Sequence, residues 1–264
     1  MRSHGWYDLP PFAYVPERSE LAVADALFRA RRGALVAESD SHDAADLTRI
    51  ARRVFSLEVD LSSFAGLLGE EPDLARALAR GGGRMLRAAT IFEDAVKVLL
   101  TTNCSWAATR GMVMRLIEAT GGGAFPGPEA LARLSARALR EKVRCGYRAE
   151  AVARFARRTA DGTIDLACWE DPRVPSEEVR AQVLAEHGFG PYAAEGLLRI
   201  LGRHEYLAID SWIRQQYRRL HPGPKKSTDR SIARRYARYG RFRGLALWLE
   251  MTRHWHEGEE PERL

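Results

Sequence analysis

From about Leu57 onward, apolar side chains recur at the spacing of a helix face: Phe64, Leu67 and Leu68, then Phe92, Val96, Leu99 and Leu100, then Met112, Val113, Leu116 and Ile117. The pattern is cut at short intervals by "RGGGR", "TGGGAFPGP", "RCGYR", "DGTID", "EDPRVPSEE", "HGFGP" and "HPGPKK". The glycines, prolines and aspartates of these breaks end helices. Helices of about ten to fifteen residues between short loops predict a compact helical bundle. From Trp6 to about Ser56 the pattern is short and mixed. There "ELAVADALFRARRGALVAES" carries two brief apolar stretches around Arg31, Arg32 and Gly33, which fit a hairpin or two strands of a small sheet, while "LAVADALFRA" fits a helix equally well. The expected fold class is mainly α, with residues 1–56 a small α+β region and residues 57–264 a helical domain.

A chain of 264 residues with 45% apolar content can bury a substantial core. Its formal net charge of +6 favours a polyanionic partner, nucleic acid before a membrane surface. The three cysteines, Cys104, Cys145 and Cys168, lie far apart, so neither a disulfide framework nor a paired-cysteine metal knuckle is expected. No apolar run is long enough to span a bilayer, and "MRSHGWYDLPPF" lacks the features of a secretory leader. The reading is a cytoplasmic, nucleoid-associated monomer with no membrane partner.

Two stretches carry the chemistry. In "EHGFGPYAAEGLL", Glu186 to Leu198, Gly188 and Gly190 flank an apolar residue, Pro191 can open a helix, and small Ala193 and Ala194 follow. N–H groups at such a helix start can point at a phosphate oxygen, although the same residues also make an ordinary tight turn between helices. In "LAIDSWI", Asp210 follows three apolar residues and precedes the helix pattern "SWIRQQYRRL". An aspartate there is a natural N-cap and, equally, a carboxylate held at a fixed place.

Together these stretches resemble the helix-hairpin-helix DNA glycosylases of base-excision repair, the superfamily of endonuclease III, the alkylpurine glycosylases and 8-oxoguanine DNA glycosylase. Gly188 and Gly190 match the hairpin glycines and Asp210 the essential aspartate, while His187 stands where the family usually has proline. The resemblance runs from roughly Leu57 to His256. "IFEDAVKVLLTTNCSWAATRGMVMRLIEATG" is similar to the 8-oxoguanine branch, implying that Asn103 enters the space vacated by the extruded nucleotide. "CGYRAEAV" resembles that branch's Gly-Tyr-Arg-Ala motif, implying Tyr147 as a wedge in the base stack and Arg148 as a contact to the orphaned base.

The chemistry so implied is rupture of an N-glycosidic bond, with Asp210 stabilising positive charge on the sugar and orienting the attacking water. Bifunctional members carry a lysine just after the hairpin. Here Tyr192 takes that place, eighteen residues before Asp210, and a phenol is not a Schiff-base nucleophile. The expected activity is therefore that of a monofunctional glycosylase leaving an abasic site, with Lys97 and Lys142 the lysines that would otherwise have to substitute. Trp106, Phe189, Tyr192 and Trp212 are the candidates for holding the extruded base, each equally suited to core packing. Arg214, Lys225 and Lys226 open a basic run continuing to Arg253 that suits a DNA backbone. No cysteine follows Cys168, so no iron–sulfur cluster is expected, and the isolated His254 and His256 do not make a metal site. The only cofactor the resemblance allows is a monovalent cation on hairpin carbonyls. The partner is duplex DNA bearing a modified base, purine favoured, oxidised or alkylated. A non-catalytic sensor of damaged DNA with the same fold is the alternative.

Overall fold

The computed structural model describes residues 4–69, 71–223 and 227–256. After a 3-10 turn at Gly5–Asp8, four antiparallel strands follow in sequential order: β1 Ala13–Val15, β2 Glu20–Val23, β3 Ala26–Arg31 and β4 Ala34–Glu38. A 3-10 turn at Pro16–Arg18 links β1 to β2, and two-residue turns make the other two hairpins. Ala24 and Asp25 (φ 51° and 56°) join β2 to β3, and Arg32 and Gly33 (φ 45° and 80°) join β3 to β4. Two successive left-handed residues match the right-handed twist of paired strands. The segment "LAVADALFRA" is thus a hairpin: Leu21, Val23, Ala26 and Phe28 share the buried face. Period two wins over the helical alternative because the apolar residues then meet one core.

The rest is helical: α1 Ala44–Val54, α2 Ser62–Leu67, α3 Pro72–Ala79, α4 Ile91–Thr101, α5 Trp106–Ala119, α6 Pro128–Ala132, α7 Ala136–Ala138, a π turn Leu139–Val143, α8 Arg148–Ala160, α9 Leu166–Glu170, α10 Ser176–Ala185, α11 Pro191–Ile200, α12 Ser211–Leu220, α13 Asp229–Tyr236, a 3-10 segment Ala237–Phe242, α14 Arg243–Met251 and α15 Arg253–His256. Several are shorter than the ten to fifteen residues expected, α2 having 6 and α6 and α9 having 5 each. Starts are set by side-chain caps: Asp43, Thr90, Ser105 and Asp165 accept hydrogen bonds from first-turn N–H groups of α1, α4, α5 and α9. Among the described residues no helix is long and apolar enough to cross a membrane.

Two hydrophobic cores form, and the chain crosses between them. The first joins the N-terminal sheet and α1 to α4, α5, α8, α10 and α11, with Phe28, Leu99, Leu116, Phe155 and Trp169 at its centre. The second joins Leu61, Phe64 and Leu74 to the segment from Leu207 through α14. Helix α4 lies inside the first core, buried from Ile91 to Leu100, and carries charges with it. Lys97 Nζ sits 2.6 Å from Glu93 Oε1, both side chains sealed from solvent. Fully buried Asp94 ties three segments together, accepting from Trp6 Nε1 (2.7 Å), Ala88 N (2.8 Å) and Arg53 (2.8 Å). Removing one partner from a buried ion pair strands the other charge in low dielectric. Asp94→Ala should therefore cost about 3–5 kcal/mol of folding free energy, read as a lowered urea midpoint.

Candidate active site

Helix α10 ends at Ala185, and Glu186, which follows, is paired with Arg158 at 3.0 Å. The chain reverses through Gly188, whose φ of +96° and whose approach to α8 both require the absence of a side chain. A Cβ there would stand 2.4 Å from Ala151 Cβ. Phe189 at the tip is buried edge-on against Phe155 with ring centroids 5.5 Å apart, so it anchors the hairpin in the first core and does not join the cavity wall described below. Exposed Gly190 caps α11 and exposed Pro191 is its first residue, leaving the N–H groups of Tyr192 and Ala193 without an intrahelical acceptor at a solvent-facing helix start.

Tyr192, Glu195 and Arg199 recur along one face of α11, the spacing that stacks side chains over successive turns. Glu195 reaches out of the helix to accept the backbone N–H of Ala208 (3.0 Å) while its other oxygen takes Arg180 Nη2 (2.9 Å). Ala208 is fully buried and left-handed, φ +48°. From the opposite side Gly244 of α14 donates to His204 O (2.8 Å), and a Cβ on it would be 1.9 Å from Tyr206 O. The segment leading to Asp210 is thus clamped between α11 and α14.

Asp210 caps α12: its Oδ1 accepts Ile213 N at 2.7 Å. The residue is half-buried, and among the described residues no cation lies within 4 Å of it. The Tyr192 phenol lies close enough to the same carboxylate to feel its charge. Burial, then the negative charge of Asp210, push the phenol up to about 12. A cavity of about 490 Å³ opens beside Tyr192, walled by Pro191, Tyr192, Glu195, Ile209, Arg214 and Arg230 among others, with Asp210 next to Ile209 but not in its wall. Arg214 grips Asp229 through two contacts of 2.8 Å at its rim. Trp212 turns from the cavity into a cluster with Trp248 and Trp255, centroids 5.9 and 6.0 Å away, and Arg199 lies over Trp248 at 4.2 Å.

A second group gathers residues 44 or more positions apart in sequence. Exposed, left-handed Asn103 (φ +47°) donates to the Tyr147 hydroxyl at 3.2 Å, and Tyr147 is 64% exposed. The Thr102 hydrogen bond holds this phenol below its ordinary range. Arg148 differs from expectation: it is buried, donates to the Thr102 carbonyl (2.9 Å) and lies 4.6 Å under the Tyr147 ring. It supports the exposed tyrosine and does not project into solvent. Trp106 is half-buried, donates to Asp8 (2.9 Å) and packs on Gly5, fastening the N-terminal turn to α5.

Of the lysines, Lys97 is enclosed with Glu93, and Lys142 is exposed on the π turn. Lys225 and Lys226 lie outside the described residues. Much of the basic run serves the fold: Arg235 pairs with Glu250, Arg238 with Glu71 and Arg253 with Asp73, whereas Arg230 and Arg234 are exposed. Among the described residues no group of three or more His, Cys, Asp or Glu side chains is placed to hold a metal ion. Glu195 and Arg199 were missed in the sequence. Their signal was polar side chains three and seven residues after Tyr192, on a helix whose other side, Ala193, Ala194, Leu197 and Leu198, is buried.

No family model matches the sequence, and no curated protein does. Solved structures do. MBOgg1 in complex with a low-affinity DNA ligand matches with a TM-score of 0.78 and 18% identity, over 98% of this chain and 93% of its own. The Clostridium acetobutylicum 8-oxoguanine glycosylase/lyase, in complex with duplex DNA containing cytosine opposite 8-oxoguanine, matches at 0.72 and 16%, over 94% and 91%. A 3-methyladenine DNA glycosylase from Archaeoglobus fulgidus matches at 0.72 and 20%, over 97% and 94%. The chain has the helix-hairpin-helix glycosylase fold. Small N-terminal sheet, helical body and hairpin before α11 are all parts of that whole-length match.

Within this fold Asp210 is separable from stability. Asp210→Asn keeps an acceptor for Ile213 and should leave the melting temperature nearly unchanged, whereas Asp210→Ala loses the cap and should cost about 1 kcal/mol. Gly188→Ala should cost more, at least about 1–3 kcal/mol from the forced left-handed backbone alone, with the collision at Ala151 added. Thermal and urea denaturation of the three variants check both.

Proposed function

We propose that the protein is a monofunctional DNA glycosylase that extrudes a damaged or modified base, purine favoured, from duplex DNA and hydrolyses its N-glycosidic bond, leaving an abasic site. The observation that carries the reading is the Tyr192–Asp210 pair. A half-buried carboxylate, fixed by its cap and with no cation within 4 Å among the described residues, stands near the phenol that the resemblance puts in place of a Schiff-base amine. The fold supports it, since proteins sharing that fold are glycosylases on 8-oxoguanine and 3-methyladenine DNA.

As the bond from C1′ to the base nitrogen lengthens, its electron pair leaves with the base and the sugar becomes cationic. Asp210 stabilises that charge more than the ground state. Water adds to C1′ from the face opposite the base, its proton passes toward the carboxylate, and the departing base takes up a proton. Tyr192 remains neutral across the physiological range because its ionisation is displaced to about 12, so it stands near Asp210 as a phenol with a proton to donate. The hairpin and the start of α11 hold a phosphate through backbone N–H groups, and Tyr147 with Asn103 fills the space the nucleotide leaves. Arg214, Arg230 and Arg234 add charge along the strand, so binding should weaken steeply with salt.

Duplexes bearing 8-oxoguanine, hypoxanthine, 3-methyladenine, uracil or an oxidised pyrimidine provide the test. Wild type should yield breaks at one or more lesions after hot alkali and none before. Asp210→Asn should lose at least about a thousandfold in rate while still binding the same duplex. Binding without cleavage by wild type would favour a damage sensor. Borohydride should trap no adduct with wild type. Tyr192→Lys, which sets an amine beside Asp210, should gain a trappable adduct, and an adduct in wild type would contradict the monofunctional reading.

A further inference from the structure

Arg199 is a buried cation without a hydrogen-bond partner among the described residues. It is 8% exposed, yet among the described residues none of its five N–H groups meets an acceptor, and Nη1 is wholly removed from solvent. It lies against an aromatic face, the guanidinium carbon 4.2 Å from the centre of the Trp248 ring. Burying a charge in this way is costly unless hydrogen bonds compensate it. Burial pulls the arginine below its ordinary value, while Tyr192, Asp210 and Glu195, in that order, favour its charge. Neither carboxylate is a close partner: Glu195 is taken by Ala208 and Arg180, and Asp210 caps Ile213. Nearby His4 and His204 are pushed by burial down to about 3, so they are neutral and Arg199 supplies the local positive charge.

An orphaned donor set on the same face of α11 as Tyr192, two turns further along and outside the walls of the cavity described above, backed by the tryptophans of α12, α14 and α15, suits a planar group that brings its own acceptors. It also carries a prohibition. A cationic N-alkylated purine is attracted by an open aromatic face, but the guanidinium already occupies that face of Trp248 and would repel a second cation across a low-dielectric gap. A neutral base meets no such penalty, and its carbonyl oxygens or ring nitrogens satisfy the stranded N–H groups, as arginine satisfies paired acceptors on guanine elsewhere.

We propose that Arg199 is a specificity-determining residue of the base site, selecting neutral, carbonyl-bearing extruded bases, oxidised or deaminated, over positively charged N-alkylated purines. The inference rests on the glycosylase reading above and narrows its substrate class. Arg199 is predicted to move toward the extruded base when Tyr192 and Asp210 engage the nucleotide.

The test compares kcat/KM and equilibrium binding of wild type, Arg199→Leu and Arg199→Lys on duplexes bearing 8-oxoguanine, hypoxanthine, 7-methylguanine or 3-methyladenine. Wild type should prefer one of the neutral lesions to both methylated bases by about tenfold to a hundredfold. Arg199→Leu should lose most of that ratio by falling on neutral lesions and holding or rising on methylated ones. Arg199→Lys, which keeps charge and stem, should retain part of it and remains informative if the leucine variant fails to fold. A wild type that prefers methylated purines, or variants that slow every lesion by one common factor, would overturn the assignment while leaving the glycosylase reading intact. Wild type that excises nothing would defeat that reading itself. The binding ranks then decide the base site separately, and equal affinity for neutral and methylated lesions would overturn it there too.

Discussion

One backbone hydrogen bond holds the candidate site together: Ala208 N–H to the Glu195 carboxylate. Ala208 is fully buried in a left-handed conformation that costs a residue with a Cβ about 1 kcal/mol or more, and its N–H would otherwise be stranded. Glu195 belongs to α11 in the first core, whereas the segment from Leu207 to Asp210 opens the second. Their bond fixes the distance across the junction. With Arg180 bracing Glu195 and Gly244 closing from α14, the turn before Asp210 has little freedom, and α12 starts where the carboxylate can both cap it and face Tyr192.

The junction also explains why the chemistry sits where it does. Each core alone is an ordinary packed interior. Between them run the polar side chains that neither absorbs: Tyr192, Glu195 and Arg199 from one side, Asp210 and the Trp248 face from the other. Replacing an amine by a phenol at position 192 changes the character of this seam. An amine beside Asp210 would be a nucleophile; the phenol, neutral there, does not compete for the sugar.

How much of this the sequence disclosed depends on how local the cause is. The hairpin glycines and the capping aspartate lie within 23 residues and declare themselves by spacing alone. Asn103 and Tyr147 came from motif likeness and do meet, through the hydrogen bond between them. The hairpin around Arg32 and Gly33 is among the readings of the sequence, whereas the β2–β3 turn does not declare itself because Ala24 and Asp25 form it without a glycine, and its strands are too short for period two to stand out. Phe189 and Arg148 turn inward because Phe155 and the Thr102 carbonyl await them, partners 34 and 46 positions away. Arg199 carried no signal of its own, because the Trp248 ring it lies against is 49 positions away.

The central claim is that Asp210 meets the sugar of an extruded nucleotide while the start of α11 holds the strand. The most direct measurement is a crystal structure of Asp210→Asn bound to a duplex carrying a cleavage-resistant, fluorinated analogue of the lesion nucleotide that wild type processes. The account predicts the nucleotide rotated out of the stack, its anomeric carbon facing residue 210, a backbone phosphate on the N–H groups after Gly190, and Tyr147 in the vacated space. A lesion still stacked in the helix, or a duplex seated on another face of the protein, would contradict it.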